Sequence, residues 1–234
     1  INSLNAQQFQ WANSFGGTSE ETLSATALDD FGNTYSTGYF SGTVDFDPGA
    51  GTANLSANGF FDLFLTKTDA NGGLVWAKNI GGSGITQGTG ISLDDSGNIH
   101  LSGNFTETTD FDPGSGVHNL QSPSNFDGFV LKLDANGDFV WAYQLGGISN
   151  DGTKAVATDP SGNVVVTGYF QGTVDFDNGP ASASFSSQGA ADIFTVKLSN
   201  TGAFLWAKQI AGTQDHFANA IATDDLGNIC LLYT

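Results

Sequence analysis

Arginine is absent from this chain, and six lysines stand against 24 acidic residues, for a formal charge of −18. A surface of that sign repels nucleic acid, and no guanidinium fork is available for phosphate, so a nucleic-acid partner is not expected. The single cysteine, Cys230, rules out an internal disulfide framework. No stretch is apolar enough to span a bilayer. Nor does an apolar 3.6-residue period persist for ten residues anywhere, so helices are not expected either. What remains is ample: 234 residues at 39% hydrophobic content bury a sizeable core.

Periodicity dominates the rest. Trp11, Trp76, Trp141 and Trp206 stand 65 residues apart. Asp-Phe-Asp begins at Asp45, Asp110 and Asp175, and Gly-Asn at Gly32, Gly97, Gly162 and Gly227, in the same register. One supersecondary unit is therefore written out about three and a half times, the mark of an array or propeller. The 32 glycines recur at fixed turn positions, as many short strands joined by tight turns require. Cys230 falls in the column of Tyr35, His100 and Val165, and reads as an ordinary strand side chain, not a catalytic thiol.

Each period reads as six extended segments. In the first, they centre on Ala27, on residues 34–40, on 43–46, on 53–56, on 62–68 and on 74–80. Asp/Gly/Asn turns separate them. Four form a meander, with the third and fourth as an inserted hairpin. The predicted fold is all-β, a β-propeller of 65-residue, four-stranded blades. Residues 9–17 form the outer strand of a split blade, followed by blade 1 (18–82), blade 2 (83–147), blade 3 (148–212) and the first two strands of blade 4 (213–234). Small residues Ala25, Gly90, Ala155 and Ala220 line the crowded axis. Phe40, Phe105, Phe170, Phe64, Phe129, Phe194 and the tryptophans fill the space between blades, where truncating a buried Trp costs roughly 3–5 kcal/mol. A linear solenoid is the rival, but it needs polar caps, and neither end reads as one. Three blades and two pieces do not close a ring, so the propeller is expected to be incomplete here and to continue past residue 234.

The signals Asp159-Pro160-Ser161-Gly162-Asn163-Val164-Val165-Val166-Thr167-Gly168-Tyr169-Phe170, then Asp192-Ile193-Phe194-Thr195-Val196-Lys197, then Trp206-Ala207, recur around Gly32 and Gly97. Their order resembles the bacterial β-propeller repeat family, often described as seven-bladed, as found in exported Bacteroidetes proteins. The likeness covers nearly everything from Phe9 onward. It implies a secreted or cell-surface protein, often with a C-terminal sorting domain, and it implies no shared catalytic residues. Residues 1–8 lie outside the repeat. Ser3 to Gln7 look like the end of a secretory signal peptide cut after Ala6, or else form a frayed tail.

Among polar constellations, Asp45 and Asp47, with Asp110/Asp112 and Asp175/Asp177, come first. Alternate residues of an extended segment share a side, so two carboxylates meet, and a hard cation such as Ca²⁺ relieves their repulsion. The competing reading has these aspartates capping a turn. Asp29, Asp94, Asp159 and Asp224 precede Gly-Asn turns and read as Asx caps. Asp62, Asp127 and Asp192 recur with Lys67, Lys132 and Lys197, and are read as register-fixing ion pairs. His100, His118 and His216 share no column and form no metal set. No nucleophile–base–acid set and no phosphate loop can be justified.

Catalytic and cofactor residues are accordingly assigned to none, with calcium the one cofactor entertained. The preferred reading is a non-catalytic secreted or cell-surface scaffold or protein-interaction module. It meets a protein or glycan at the rim of variable loops 83–89, 148–154 and 213–219. The alternatives are a carbohydrate-binding propeller with repeated shallow sites near Tyr39 and Tyr169, and a hydrolase or lyase with an axial centre.

Overall fold

Alternation at period two, broken by Asp/Gly/Asn turns, produces strands and no helix among the described residues. The computed structural model describes residues 11–123 and 125–234. The proposed leader at residues 1–8 lies outside them. Blade 1 comprises β1 (Glu21–Leu28), β2 (Thr34–Phe40), the hairpin β3 (Thr43–Asp45) and β4 (Asn54–Ser56), then β5 (Asp62–Thr68) and β6 (Leu74–Gly82). Blade 2 repeats this with β7 (Thr86–Leu93), β8 (Ile99–Phe105), β9 (Thr108–Asp110), β10 (Asn119–Gln121), β11 (Asp127–Leu133) and β12 (Phe139–Leu145). Blade 3 has β13 (Gly152–Thr158), β14 (Val164–Phe170), β15 (Thr173–Asp175), β16 (Ser184–Ser186), β17 (Asp192–Leu198) and β18 (Phe204–Ile210). A final antiparallel pair is β19 (Ala218–Thr223) and β20 (Ile229–Tyr233).

In each full blade the first, second, fifth and sixth strands form an antiparallel meander. The first strands β1, β7, β13 and β19 pack successively on one another, as the innermost strands of a β-propeller-like fold. Crowding there is real: a methyl on Gly90 would lie 3.3 Å from the Ala155 Cα. Each innermost strand also carries a bulge, which skips Ser24, Thr89, Lys154 and Asn219 in turn. A second bulge in the outer strands turns Val75, Val140 and Leu205 out to solvent.

The cores lie between blades. One cluster joins Tyr35, Leu63, Leu65 and Ile80 of blade 1 to Ile99, Leu101, Phe105, Phe111, Phe129 and Leu131 of blade 2. Another joins Val130, Tyr143 and Leu145 of blade 2 to Val164, Val166, Phe170, Phe176 and Phe194 of blade 3. The middle residue of every Asp-Phe-Asp is part of this core. Phe111 sits 5.3 Å from Phe105 and 4.8 Å from Phe129, ring centre to ring centre, and the other blades repeat the triad. The inserted hairpin is thus pinned to the blade by its own phenylalanine.

Two expectations change. The tryptophans are only half-buried, and Trp11, Trp76 and Trp141 each lie over the outer turn of the following blade. A methyl on Gly72 or Gly202 would lie 2.9 Å from the indole of Trp11 or Trp141, and both glycines have a positive φ (84° and 82°). Indole and bare backbone therefore clasp consecutive blades, closed by Trp11 Nε1 donating to the Ala70 carbonyl at 2.9 Å and Trp141 Nε1 to that of Asn200 at 3.2 Å. Second, residues 11–15 join no sheet, since an outer strand takes its ladder from the third strand of its own blade. Phe15 instead packs its ring on Phe46 and Phe64, and Gly16 bridges Asp45. β6 also runs through Gly81-Gly82 and pairs there with β9 of blade 2.

The front face of blade 1 differs from its counterparts. Thr26, Thr34, Ser36, Thr66 and Thr68 stand where blade 2 has Ile91, Ile99, Leu101, Leu131 and Leu133. Blade 3 has Val156, Val164, Val166, Val196 and Leu198 there. The turn-side half of this face is therefore lined by hydroxyls where the other blades carry aliphatic side chains.

Phe111→Ala should cost roughly 3–5 kcal/mol in urea unfolding, and Trp141→Ala less. Gly202→Ala should cost at least about 1 kcal/mol, since a non-glycine residue pays for left-handed backbone there and also meets the indole.

Candidate functional site

The Asp-Phe-Asp loops are built around their buried phenylalanines, which leave the flanking aspartates at the loop backbone. Asp45 Oδ1 accepts the amides of Asp47 (3.0 Å) and Ala53 (2.8 Å). Asp110 does the same with Asp112 (3.1 Å) and His118 (2.8 Å), and Asp175 with Asp177 (3.1 Å) and Ala183 (2.8 Å). Asp47, Asp112 and Asp177 in turn accept the amides of Gly49, Gly114 and Gly179 at 2.7–2.8 Å. The Ala53 amide, then that of Asp47, holds the Asp45 carboxyl below its ordinary value. Asp175 is lowered in the same way, first by the Ala183 amide. One oxygen of each carboxylate is thus used to close the hairpin. No group of three or more His, Cys, Asp or Glu suited to a metal ion forms among the described residues. A cation here would take most of its oxygens from carbonyls and water.

At one end of the array, the turn end, four Asx caps repeat. Asp94 Oδ1 accepts the amides of Ser96 and Asn98 at 3.0 Å, and Oδ2 accepts the Asn98 side chain at 2.9 Å. Asp29, Asp159 and Asp224 make the same three bonds. The lysines answer to these aspartates: Lys132 Nζ lies 3.4 Å from Asp94, and Lys197 Nζ 2.7 Å from Asp159. The expected pairing with Asp62, Asp127 and Asp192 does not form, because those acids lie at the opposite end of the same strands. Burial pushes the Asp159 carboxyl up, but Lys197, Asn163 and two amides outweigh it and hold it at about 2. Asp94 is likewise raised by burial, and His100 and Asn98 more than reverse this. His100, fully buried in its strand, donates Nε2–H to Asp94 at 3.1 Å, and burial lowers its pKa.

The opposite, loop end holds the passages between blades. Asp192 accepts from the Gln188 amide and the Gln209 side chain, both at 2.8 Å, and Asp62 from the Asn58 amide at 2.8 Å. Asp192 thus ties the loop before it to the outer strand, while Asp62 closes its own loop. Asp127 accepts from Gln144 at 2.5 Å, while its Oδ1 has no partner among the described residues. Asp151, fully buried like Asp127, accepts the amides of Gly147 (2.7 Å) and Gln171 (2.9 Å). Burial raises Asp127 to about 7, and the nearby Asp151 charge adds to this. Burial alone raises Asp151 to about 6, against its amide bonds. Sequence reasoning missed this pair because Thr86 and His216 occupy the Asp151 column in the neighbouring units.

The rim aromatics divide. Tyr39 packs on Phe61 (5.0 Å) and Tyr169 on Phe217 (5.5 Å), with Lys154 over the Tyr169 ring, whereas Asn104 accepts the Thr153 amide at 2.7 Å. Glu107 has a positive φ of 59° where Gly42 and Gly172 stand in the other blades, and its carboxylate accepts Ser83 Oγ–H at 2.7 Å. His118 stacks on Phe139, His216 lies in the last passage, and Cys230 is an exposed residue of β20.

No family model matches the chain. It is 27% identical over 177 residues to a WD repeat-containing protein of Acanthamoeba polyphaga mimivirus, described as uncharacterized, covering 70% of this chain and 13% of that one. It is 25% identical over 141 residues to the regulatory protein FlaEY of Caulobacter vibrioides, covering 60% and 14%. The chain therefore spans about a seventh of each of these relatives. A solved protein of unknown function from Bacteroides caccae aligns at a TM-score of 0.29 and 9% identity, over 73% of this chain and 64% of that one. The WD-repeat relative and the all-β meanders agree on a propeller-type repeat.

Two predictions follow from these sites. The folded chain keeps protons on Asp127 and Asp151 that an unfolded chain, with carboxyls near 3.8, releases. Their contribution is therefore complete below that value and is lost as pH rises through about 6 and about 7. Melting temperature should fall from pH 5 to pH 8, and Asp127→Asn should flatten the fall. At the Asp-Phe-Asp loops, EDTA should leave the melting temperature unchanged. A rise on adding millimolar Ca²⁺ that Asp110→Asn abolishes would instead assign the free carboxylate oxygens to the ion.

Proposed function

We propose that this chain is a non-catalytic interaction module of a secreted or cell-surface protein, and that it engages a protein partner through its loop end. The observation that carries the reading is Glu107. A non-glycine residue in left-handed backbone costs about 1–2 kcal/mol, and the two equivalent positions avoid that cost with glycine. Around it the loops diverge in sequence and expose apolar surface, with Phe60 at 70% and Ile148 at 79% exposure. At the turn end the same residue types repeat, and the Asp94–His100–Lys132 cluster holds a turn, which favours scaffold chemistry over an active centre. Export is supported by the lysine-poor composition and by the resemblance of the repeat to exported bacterial propellers.

Glu107→Gly tests this directly. The variant should melt at or above the wild-type temperature, and should lose the partner that wild type cross-links at the surface of the producing cell. Equal cross-linking by both proteins would refute a recognition role for this end. If an antibody to the chain failed to label intact cells and the culture medium, the extracellular assignment would fall.

A further inference from the structure

At the turn end, the back of blade 1 and the front of blade 2 part to leave a cleft of about 350 Å³. Its counterpart between blades 2 and 3 holds about 190 Å³. The backbone framework is the same, so side chains at equivalent positions make the difference. In the second cleft Lys132 and Trp141 both donate to the Asn200 carbonyl at 3.2 Å, drawing the outer turn of blade 3 inward. Among the described residues no such bond joins Lys67 or Trp76 to Ala135, the equivalent of Asn200. Pro160 occupies the second cleft where Asp95 lines the first, and Ser96 stands where the first has Phe31.

The larger cleft also keeps its polar groups free. Lys132 and Lys197 are ion-paired, whereas among the described residues Lys67 forms no ion pair and lies over the Tyr35 ring at 4.8 Å. Asp30 and Asp95, one on each lip, are exposed and make no hydrogen bond. Phe31 is 84% exposed at the mouth. Such a set combines an aromatic platform, two carboxylates without hydrogen bonds and one ammonium without an ion pair in a concavity within the ligand-pocket range.

We propose that this cleft binds one pyranose residue of a glycan, neutral or bearing an amine. The C–H face of the ring lies on Phe31, as apolar faces do on aromatic rings. Its hydroxyls donate to Asp30 and Asp95 and accept from Lys67, and charge-assisted bonds of this kind are the strong ones. The lining carries four carboxylates, of Asp29, Asp30, Asp94 and Asp95, against the single Lys67. That balance, on a chain of −18, repels uronates, sulfated sugars and phosphates. Among the described residues the cleft between blades 2 and 3 does not repeat the site, since neither Phe31 nor an unpaired lysine recurs there. It lies at the end of the array opposite Glu107 and stands or falls independently of the partner-binding reading.

The test is calorimetric titration and amide chemical-shift mapping with oligomers of glucose, of glucosamine, of N-acetylglucosamine and of galacturonate. At least one of the first three should bind and shift the amides of residues 29–33 and 94–97, and galacturonate should not. Phe31→Ser and Asp95→Pro install the residues found at positions 96 and 160, so the fold tolerates both. Each should weaken binding about tenfold or more with the melting temperature unchanged. Absence of shifts with all three sugars, galacturonate binding as tightly, or undiminished binding in the double variant would each overturn the proposal.

Discussion

A four-stranded sheet that is apolar on both faces has no interior of its own, and every other property of this chain follows from that. Leu63 and Leu65 on the back of blade 1 are buried only because Ile99, Leu101 and Leu131 of blade 2 lie against them. Val130 and Leu145 repeat the dependence one unit on. Stability is then a matter of neighbours, and loss of one interface exposes two faces. The hairpins strengthen it: Tyr143 donates its hydroxyl to the Phe176 carbonyl of the next blade at 2.8 Å, and β6 pairs with β9 across the seam.

Much of this was legible in the residues. The 65-residue register, the small column at Ala25, Gly90 and Ala155, and the Phe40 and Phe64 columns all describe backbone crowding and burial, which side-chain size reports directly. What escaped has a common cause. Phe46, Phe111 and Phe176 were hidden between two conspicuous acids, so the motif was read for its charge while its buried work is done by the ring. Bulges at Ser24 and Thr89 leave no signature, because the extra residue is polar in each unit. The lysines were assigned to the wrong aspartates because spacing along a chain does not say which end of a strand meets which turn. Asp62 and Lys67 share β5 but point to opposite ends and opposite faces of the sheet.

The two ends of the array use acid chemistry differently. At the turn end each Asx aspartate is held ionised by amides, an asparagine side chain and, in two blades, a lysine. These acids are geometry-setting groups, and their repetition reflects that. At the loop end Asp127 and Asp151 are buried together with no ion pair to a cation among the described residues, and burial raises both carboxyls instead. Regular, satisfied Asx turns keep the backbone of one end alike from blade to blade. The other end tolerates Thr86, Asp151 and His216 in one column, so difference between units accumulates there.

The row of Thr26, Thr34, Ser36, Thr66 and Thr68 bears on how such a chain can lengthen over evolutionary time. Copying a middle unit inserts aliphatic faces that match those already present. Copying blade 1 between such units would set five hydroxyls against the leucines of its neighbour, each deprived of water. Duplication is thereby channelled to the units with aliphatic faces, and the blade bearing hydroxyls is copied less readily.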